Sequence, residues 1–423
     1  MIPAPVISAL ALLACAAPER PAPPRPPDLV VVSVETFRAD RALVGQPGSP
    51  MPRLSAFAAS AQRFEAAWSP APWTLPSMVS LLTGLSAAEH GVTRGELSLN
   101  AEVETLAESL QRAGFETMFF GVNSLFTASR GLDQGFSTYR AWPSLNGNDL
   151  QREVERAVDA RDRSKPLLLW LHYFEPHCPY EAAQPFRGRE EPTWGEDAAP
   201  TLDQAQFDQL GRCFQLTDPG EVPVLPVGRY LREYDAELRG IDLLLGDLFV
   251  SLDRRGLQDA VVVVVGDHGE SFWEHGDFGH GRTLFEEVLH VPLLVRWPGG
   301  RDAGAVRTPV STSVVPGLLR AAAGLGEPPT LGGPVLAGTD DEGRALRAGR
   351  LGDHKVILDA QTGVVTAFDL GADPHERAPL AEADPTLLEA VRDEAATRPV
   401  AAPLAAPLAP PVEAQLRALG YKP

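Results

Sequence analysis

Five consecutive valines, Val261 to Val265, lead directly into Gly266-Asp267-His268-Gly269-Glu270, and soon afterwards the chain reads Gly279-His280-Gly281. A run of five β-branched residues suits a strand buried on both faces, as in a parallel sheet covered by helices. Ligands of such sheets gather outside the carboxyl ends of the strands. Asp267 and His268 therefore fall where a carboxylate and an imidazole can meet a metal ion, and the flanking glycines allow the backbone to turn sharply there. Alone, Asp-His-Gly would also suit a charged loop capping a core strand.

The rest of the chain alternates in the same sense. Strands are expected at Leu29 to Val34, Glu116 to Val122, Leu167 to Leu171 and Leu293 to Arg296. Helices are expected around Arg53 to Ala61, Ser77 to Leu82, Glu102 to Arg112 (stopped by Gly114), Arg152 to Ala160 and Tyr230 to Arg255. Strands alternating with helices imply βαβ units and an α/β fold with a mostly parallel sheet. Arg187 to Val227, rich in Pro, Gly and acid, reads as an insertion beside the substrate. No internal repeat is evident.

Both ends behave differently from this middle. Ile7 to Ala14 is a short apolar stretch of signal-peptide size, ending in Leu12-Leu13-Ala14-Cys15, which looks like a bacterial lipobox with Cys15 acylated. Residues 16–27 hold Pro at six of twelve positions, a semi-rigid spacer. The expectation is export to the bacterial cell envelope on a lipid anchor, although the n-region has no Lys or Arg. Cys178 and Cys213 could then pair, or could be two buried thiols. Towards the C-terminus, Arg347 to Leu358 and Val364 to Leu370 read as two strands joined at Gly363, a small antiparallel subdomain. Thr397 to Pro411 is an Ala/Pro tract with little folding drive, and Glu413 to Tyr421 has the pattern of a closing helix. The expected organisation is signal peptide 1–15, linker 16–27, catalytic domain 28–335, small subdomain 336–390 and tail 391–423.

A formal net charge of −19 argues against a nucleic-acid partner. No apolar run is long enough to span a bilayer, so membrane contact is expected only through the lipid.

The segment Gly266 to Gly276, with Gly279-His280-Gly281-Arg282-Thr283 and Val291-Pro292, resembles the sulfatase family of the alkaline phosphatase superfamily. Three further blocks follow in the family's order: Ser33-Val34-Glu35-Thr36-Phe37-Arg38-Ala39-Asp40, Ala71-Pro72-Trp73-Thr74-Leu75-Pro76-Ser77-Met78, and Leu171-His172-Tyr173-Phe174-Glu175-Pro176-His177-Cys178-Pro179-Tyr180. The resemblance runs from about Asp28 to Glu376. It implies a sulfatase-like α/β fold, with a large mostly parallel sheet flanked by helices and a small C-terminal antiparallel subdomain.

What the resemblance implies for chemistry is mixed. Thr74 matches the nucleophile position, where sulfatases proper carry a Cys or Ser oxidised to formylglycine with an Arg four residues on; here Met78 stands at that second place. Threonine cannot be converted to that aldehyde, so the expected route is a covalent Thr74 ester that water cleaves. As a plain local feature, Thr74 is also a good helix N-cap before an early Pro. Glu35 stands where the family has a ligating Asp, and Asp267 and His268 match other ligands. Glu35, Thr74, Asp267 and His268 make an oxygen-rich set with one nitrogen for one divalent metal ion, Ca, Mn or Zn. His177 and His280 match positions that contact the transferred group or leaving oxygen. Asn123 lies where many sulfatases have a Lys, and His172, His275 and Arg38 are assigned lesser supporting roles. The expected function is metal-dependent hydrolysis of sulfate or phosphate esters on an anionic small molecule or glycan. The alternatives are an envelope phosphoryl-headgroup transferase and a non-catalytic glycan-binding pseudoenzyme.

Overall fold

The computed structural model describes residues 25–180, 186, 227–340, 344–406, 410 and 412–414. The lipobox, Cys213, nearly all of the proposed insertion and most of the proposed closing helix lie outside these residues.

Eight strands form the main sheet: β1 (Leu29–Val34), β2 (Gln62–Phe64), β3 (Glu116–Val122), β4 (Thr138–Trp142), β5 (Leu167–Tyr173), β6 (Val261–Gly266), β7 (Leu293–Arg296) and β8 (Gly304–Val306). Their order across the sheet is β8-β2-β7-β6-β1-β5-β3-β4. The strands from β6 to β4 run parallel, and β7 joins β6 antiparallel. The valine run divides its side chains between two cores. Val262 and Val264 pack beneath α1 (Pro52–Ala58), with two longer helices beside it that span Gly147–Ala160 and Val227–Arg254. Val261, Val263 and Val265 pack on the opposite face, against α2 (Thr74–Thr83), α3 (Leu106–Arg112) and a helix at Val315–Ala322. Each fully buried valine side chain stabilises the sheet by about 1.5–3 kcal/mol, so the five together anchor the fold.

With apolar residues on both faces, alternation cannot fix the strand register, and polar strand ends do so instead. Asp28 accepts from Val261 N through its backbone oxygen and from Leu167 N through its carboxylate. At the other end Glu35 N donates to Tyr173 O and Asp267 N to Val34 O. The carboxyl ends of β6, β1 and β5 are thereby brought level.

Four antiparallel strands, β9 (Val335–Thr339), β10 (Leu346–Leu351), β11 (His354–Asp359) and β12 (Val365–Asp369), form the second sheet. The stretch expected as one strand over Arg347 to Leu358 is two, separated by a turn in which Gly352 takes φ 60°. One face packs on Trp68, Leu284 and Val288 of the main domain, and the other carries the helix Pro385–Ala396 through Leu387 and Val391. The Ala/Pro tract also differs from expectation. Leu404–Ala405 pairs antiparallel with Leu97–Ser98, and Pro399 and Pro403 crowd Gly91, so backbone pairing helps to hold a segment whose apolar side chains are mostly small. Among the described residues no helix is long and apolar enough to cross a membrane.

Candidate active site

Four neighbouring strands deliver one polar residue each to the same point. Glu35 follows β1, Asp267 follows β6, Asn123 follows β3, and His172 sits within β5 opposite Ser33 and Gly121. All four are buried. Glu35 is the hub: Oε1 accepts from Thr74 Oγ1 at 2.5 Å and Asn123 Nδ2 at 2.9 Å. Its Oε2 accepts from Asn123 Nδ2 at 2.9 Å and lies 2.7 Å from His172 Nε2. Burial alone would raise this carboxyl, but the hydrogen bond and charge of His172 hold it well below the usual range. Asn123, expected only as the loss of a cation, orients Glu35 with both amide contacts.

Asp267 is the opposite case. Its Oδ1 accepts from Thr36 N at 3.1 Å and His268 N at 2.7 Å. Its buried Oδ2 has no hydrogen-bond partner, while His268 Nε2 stands 3.6 Å away. Burial, and then the charge of Glu35, push this carboxyl well above its ordinary range. Thr36 makes its contact in a left-handed conformation, φ 46°. For a β-branched residue this strain is on the order of 1–3 kcal/mol, and here it aims the Thr36 N–H at Asp267.

The glycines of the Asp-His-Gly segment serve closeness rather than turning. Neither Gly266 nor Gly269 takes a positive φ. A Cβ on Gly269 would lie 2.0 Å from Glu287 O, where Gly269 N donates to Val288 O at 2.8 Å.

Thr74 is not a helix cap. It is the first residue of α2, and the N-cap is Trp73, whose side chain makes no capping bond. The Thr74 hydroxyl is turned from the helix towards Glu35 and lies 3.3 Å from His268 Nε2. The backbone N–H groups of this helix start are positioned to favour an anion. Met78, one turn on, is fully buried and packs in the apolar core below the sheet. Ser77 ties the helix to the sheet by donating to Asp267 O at 2.5 Å.

Three imidazoles complete the site, each fixed through Nδ1. His268 Nδ1 faces Gly269 O at 2.7 Å, His177 Nδ1 faces Cys178 O at 2.6 Å, and His280 Nδ1 faces Glu270 Oε1 at 2.8 Å. These acceptors place a proton on Nδ1 and leave Nε2 for chemistry. The His280 ring centre is 4.5 Å from that of His268 and 5.2 Å from that of His177. Burial lowers both His177 and His268 below the ordinary histidine value. Glu270 received no role from the sequence; an acid in the same glycine-rich loop as His280 was the available signal. Arg38, buried, holds this loop through Glu270 O at 2.8 Å and Glu274 Oε1 at 2.7 Å.

A family profile for sulfatases matches residues 27–325. The chain belongs to the sulfatase family. The chain is 21% identical to an N-acetylglucosamine-6-O-sulfatase of Bacteroides thetaiotaomicron, over 73% of this chain and 69% of the relative. It is 24% identical to a multifunctional alkaline phosphatase superfamily protein of Trinickia caryophylli, over 56% of this chain and 61% of the relative. It therefore spans roughly two thirds of the length of these proteins. Among solved structures, a protein in complex with its substrate D-glucosamine-2-N,6-O-disulfate superposes with TM-score 0.72 at 17% identity, covering 87% of this chain and 97% of the other. The phosphonate monoester hydrolase of Agrobacterium radiobacter gives TM-score 0.71 at 20% identity, covering 88% and 94%. This family member is accordingly a hydrolase of the class that acts on sulfate and phosphate esters, on an α/β fold with a second, antiparallel sheet.

The residues present fit a divalent cation. Glu35, His172 and Asp267 can each present one ligand atom, all within 4.8 Å of one another. Asp267 keeps a buried carboxylate oxygen with no hydrogen-bond partner, which a cation would satisfy. His172, expected only as support or packing, thus belongs to the candidate centre alongside Glu35 and Asp267.

Proposed function

We propose that this sulfatase cleaves a monoanionic ester by nucleophilic attack from Thr74 beside one divalent metal ion. The observation that carries the reading is the buried Thr74 hydroxyl, 2.5 Å from Glu35 Oε1 and 3.3 Å from His268 Nε2, at the start of α2. A bound cation would be held by Glu35 and Asp267, and would supply charge that eases loss of the hydroxyl proton and neutralises the ester oxygens. Glu35 aims Thr74 Oγ1, and His268 Nε2 receives its proton. The new bond joins Thr74 Oγ1 to sulfur or phosphorus while the bond to the leaving oxygen breaks. His280 Nε2, held by Glu270, gives that oxygen a proton, with His177 beside it. Water then cleaves the Thr74 ester and restores the hydroxyl.

Charge selects the substrate class. Met78 is packed away and Asn123 is neutral, so neither position brings a cation to the reacting centre. Two carboxylates and a divalent cation already cancel. A monoanion, either a sulfate ester or a phosphoryl diester, adds one negative charge, whereas a phosphate monoester dianion adds two to a buried site. The sulfated sugar bound by the structural relative supports a sulfated glycan as the ligand type. Aryl sulfate, phosphodiester and phosphate monoester, assayed side by side, separate the possibilities. The expected result is kcat/KM at least about 100-fold higher for one of the two monoanions, roughly 2.7 kcal/mol at the transition state. A preference for the dianion would contradict the reading. Turnover only with an added acceptor alcohol would make the protein a transferase, and binding without turnover a pseudoenzyme.

Export on a lipid anchor forms part of the same proposal. It rests on the Cys15 segment and is supported by the disulfide that engages Cys178, since such bonds persist in oxidising compartments. Mass spectrometry of the mature N-terminus should find acylated Cys15; an intact Met1 would contradict it.

A further inference from the structure

We propose that His172 binds the metal directly, so that the centre joins two carboxylates to an imidazole and is built for zinc or a similar transition ion rather than calcium. The inference rests on the metal-dependent reading above and adds to it a ligand and a choice of ion.

His172 lies at 0% exposure within β5. Its Nε2 is 2.7 Å from Glu35 Oε2, and the ring belongs to the group that converges with Asp267. What lies behind the ring decides what it can do. Ser33 Oγ is 2.9 Å from His172 Nδ1 and 3.3 Å from Leu171 O, and it accepts from Trp170 Nε1 at 3.0 Å. The serine hydrogen therefore has two alternative acceptors. Directed at Nδ1, it leaves the proton on Nε2, which donates to Glu35. Directed at Leu171 O, it lets Nδ1 carry the proton and donate to Ser33, and Nε2 then offers a lone pair. No heavy atom has to move to convert a hydrogen-bond donor into a ligand. An oxygen behind the ring that accepts from Nδ1–H is also the usual support of a metal-binding histidine.

His268 is not in that group: its Nδ1 is committed to Gly269 O, and its Nε2 faces Thr74 Oγ1 at 3.3 Å, where it serves as the base. Calcium takes six to eight oxygen ligands, whereas imidazole paired with carboxylate suits zinc and its neighbours. A ring nitrogen within 4.8 Å of both carboxylate ligands thus discriminates against calcium.

The test uses the purified full chain, stripped with chelator and titrated with zinc, cobalt or calcium, reading affinity and melting temperature and no turnover. Wild type should take up one zinc ion, and a hundredfold excess of calcium should leave it bound. His172→Gln keeps an N–H that can reach Glu35 but offers no ring nitrogen. It should weaken zinc binding about 100-fold while the metal-free melting temperature holds. Equal zinc affinity in the variant, or calcium displacing zinc from wild type, would overturn the proposal. A wild type that takes up no metal would instead overturn the metal-dependent reading itself. Electron spin-echo spectra of the copper-loaded proteins give a second readout. Remote-nitrogen modulation from an imidazole is expected in wild type and should be lost in His172→Gln; unchanged modulation in the variant would exclude His172.

Discussion

Thr74→Val should lower turnover by about ten-thousand-fold or more while leaving the melting temperature nearly unchanged. Valine keeps the size and β-branching of threonine and removes only the oxygen that would form the covalent ester. Thr74 does not cap α2, since Trp73 occupies that place without a side-chain bond. The stability loss of about 1 kcal/mol that accompanies a lost cap should therefore be absent. Glu35 loses one donor but keeps Asn123 and His172. The measurement is kcat on the preferred ester beside a thermal melt. Near-normal turnover would move the nucleophile elsewhere. Loss of turnover with a collapsed melting temperature would show a structural residue.

The largest effect on stability is expected far from that chemistry, where the second sheet meets the main domain. Lys355, in β11, is fully buried with its ammonium 4.7 Å from the Trp68 ring centre. It lies 3.1 Å from Glu286 Oε1 and 2.6 Å from Glu376 Oε1. Arg350 also reaches Glu286, at 3.3 Å, so Glu286 is matched twice and its carboxyl is lowered against the effect of burial. Glu376 is the partner left to hold its proton, and burial pushes it up to about 7. Removing Lys355 leaves carboxylates buried against each other, at a cost of about 3–5 kcal/mol. Lys355→Met should accordingly lower the melting temperature by roughly 10 °C or separate the second sheet as an independently melting unit. Glu376→Gln should do little, because an amide oxygen still accepts from Glu286 N. The pH dependence has a definite sign. Between pH 4.5, the ordinary glutamate value, and about 7, folded Glu376 retains a proton that the unfolded chain has released. Its contribution makes stability fall as pH rises through that window. Glu376→Gln should remove that part of the slope; an unchanged slope would assign the titration to another group.

The parallel core was legible because a valine run between a helix and a glycine-flanked acid has few alternatives. β3 and β7 have the ends that the sequence indicates, since Gly and Pro punctuate them. Short edge strands such as Gln62–Phe64 and Gly304–Val306 were not legible, because three residues carry no period and their pairing is decided by the neighbour. The turn splitting Arg347 to Leu358 hides in Gly352-Asp353, a weak break in an otherwise β-like run. In the site, Asp267 and His268 stood out at the end of the valine strand, and Thr74, His177 and His280 were suggested by the resemblance of their sequence blocks to the family. His172, Asn123 and Glu270 did not stand out. Their roles come from strand register and loop contact, which bring residues from distant parts of the sequence together at one sheet end. Asn123 shows the difficulty most clearly: read against a family pattern it is a missing cation, whereas in three dimensions it grips both oxygens of Glu35.

The central claim is a covalent bond to Thr74 Oγ1, and it is tested most directly by acid-quenching the enzyme during turnover of a fast-leaving aryl ester. Peptide mass spectrometry should then find the transferred sulfuryl or phosphoryl group on the peptide containing Thr74, with fragment ions locating it on that residue, and Thr74→Val should show none. Turnover with an unmodified Thr74 peptide, or with the group on another side chain, would contradict the account.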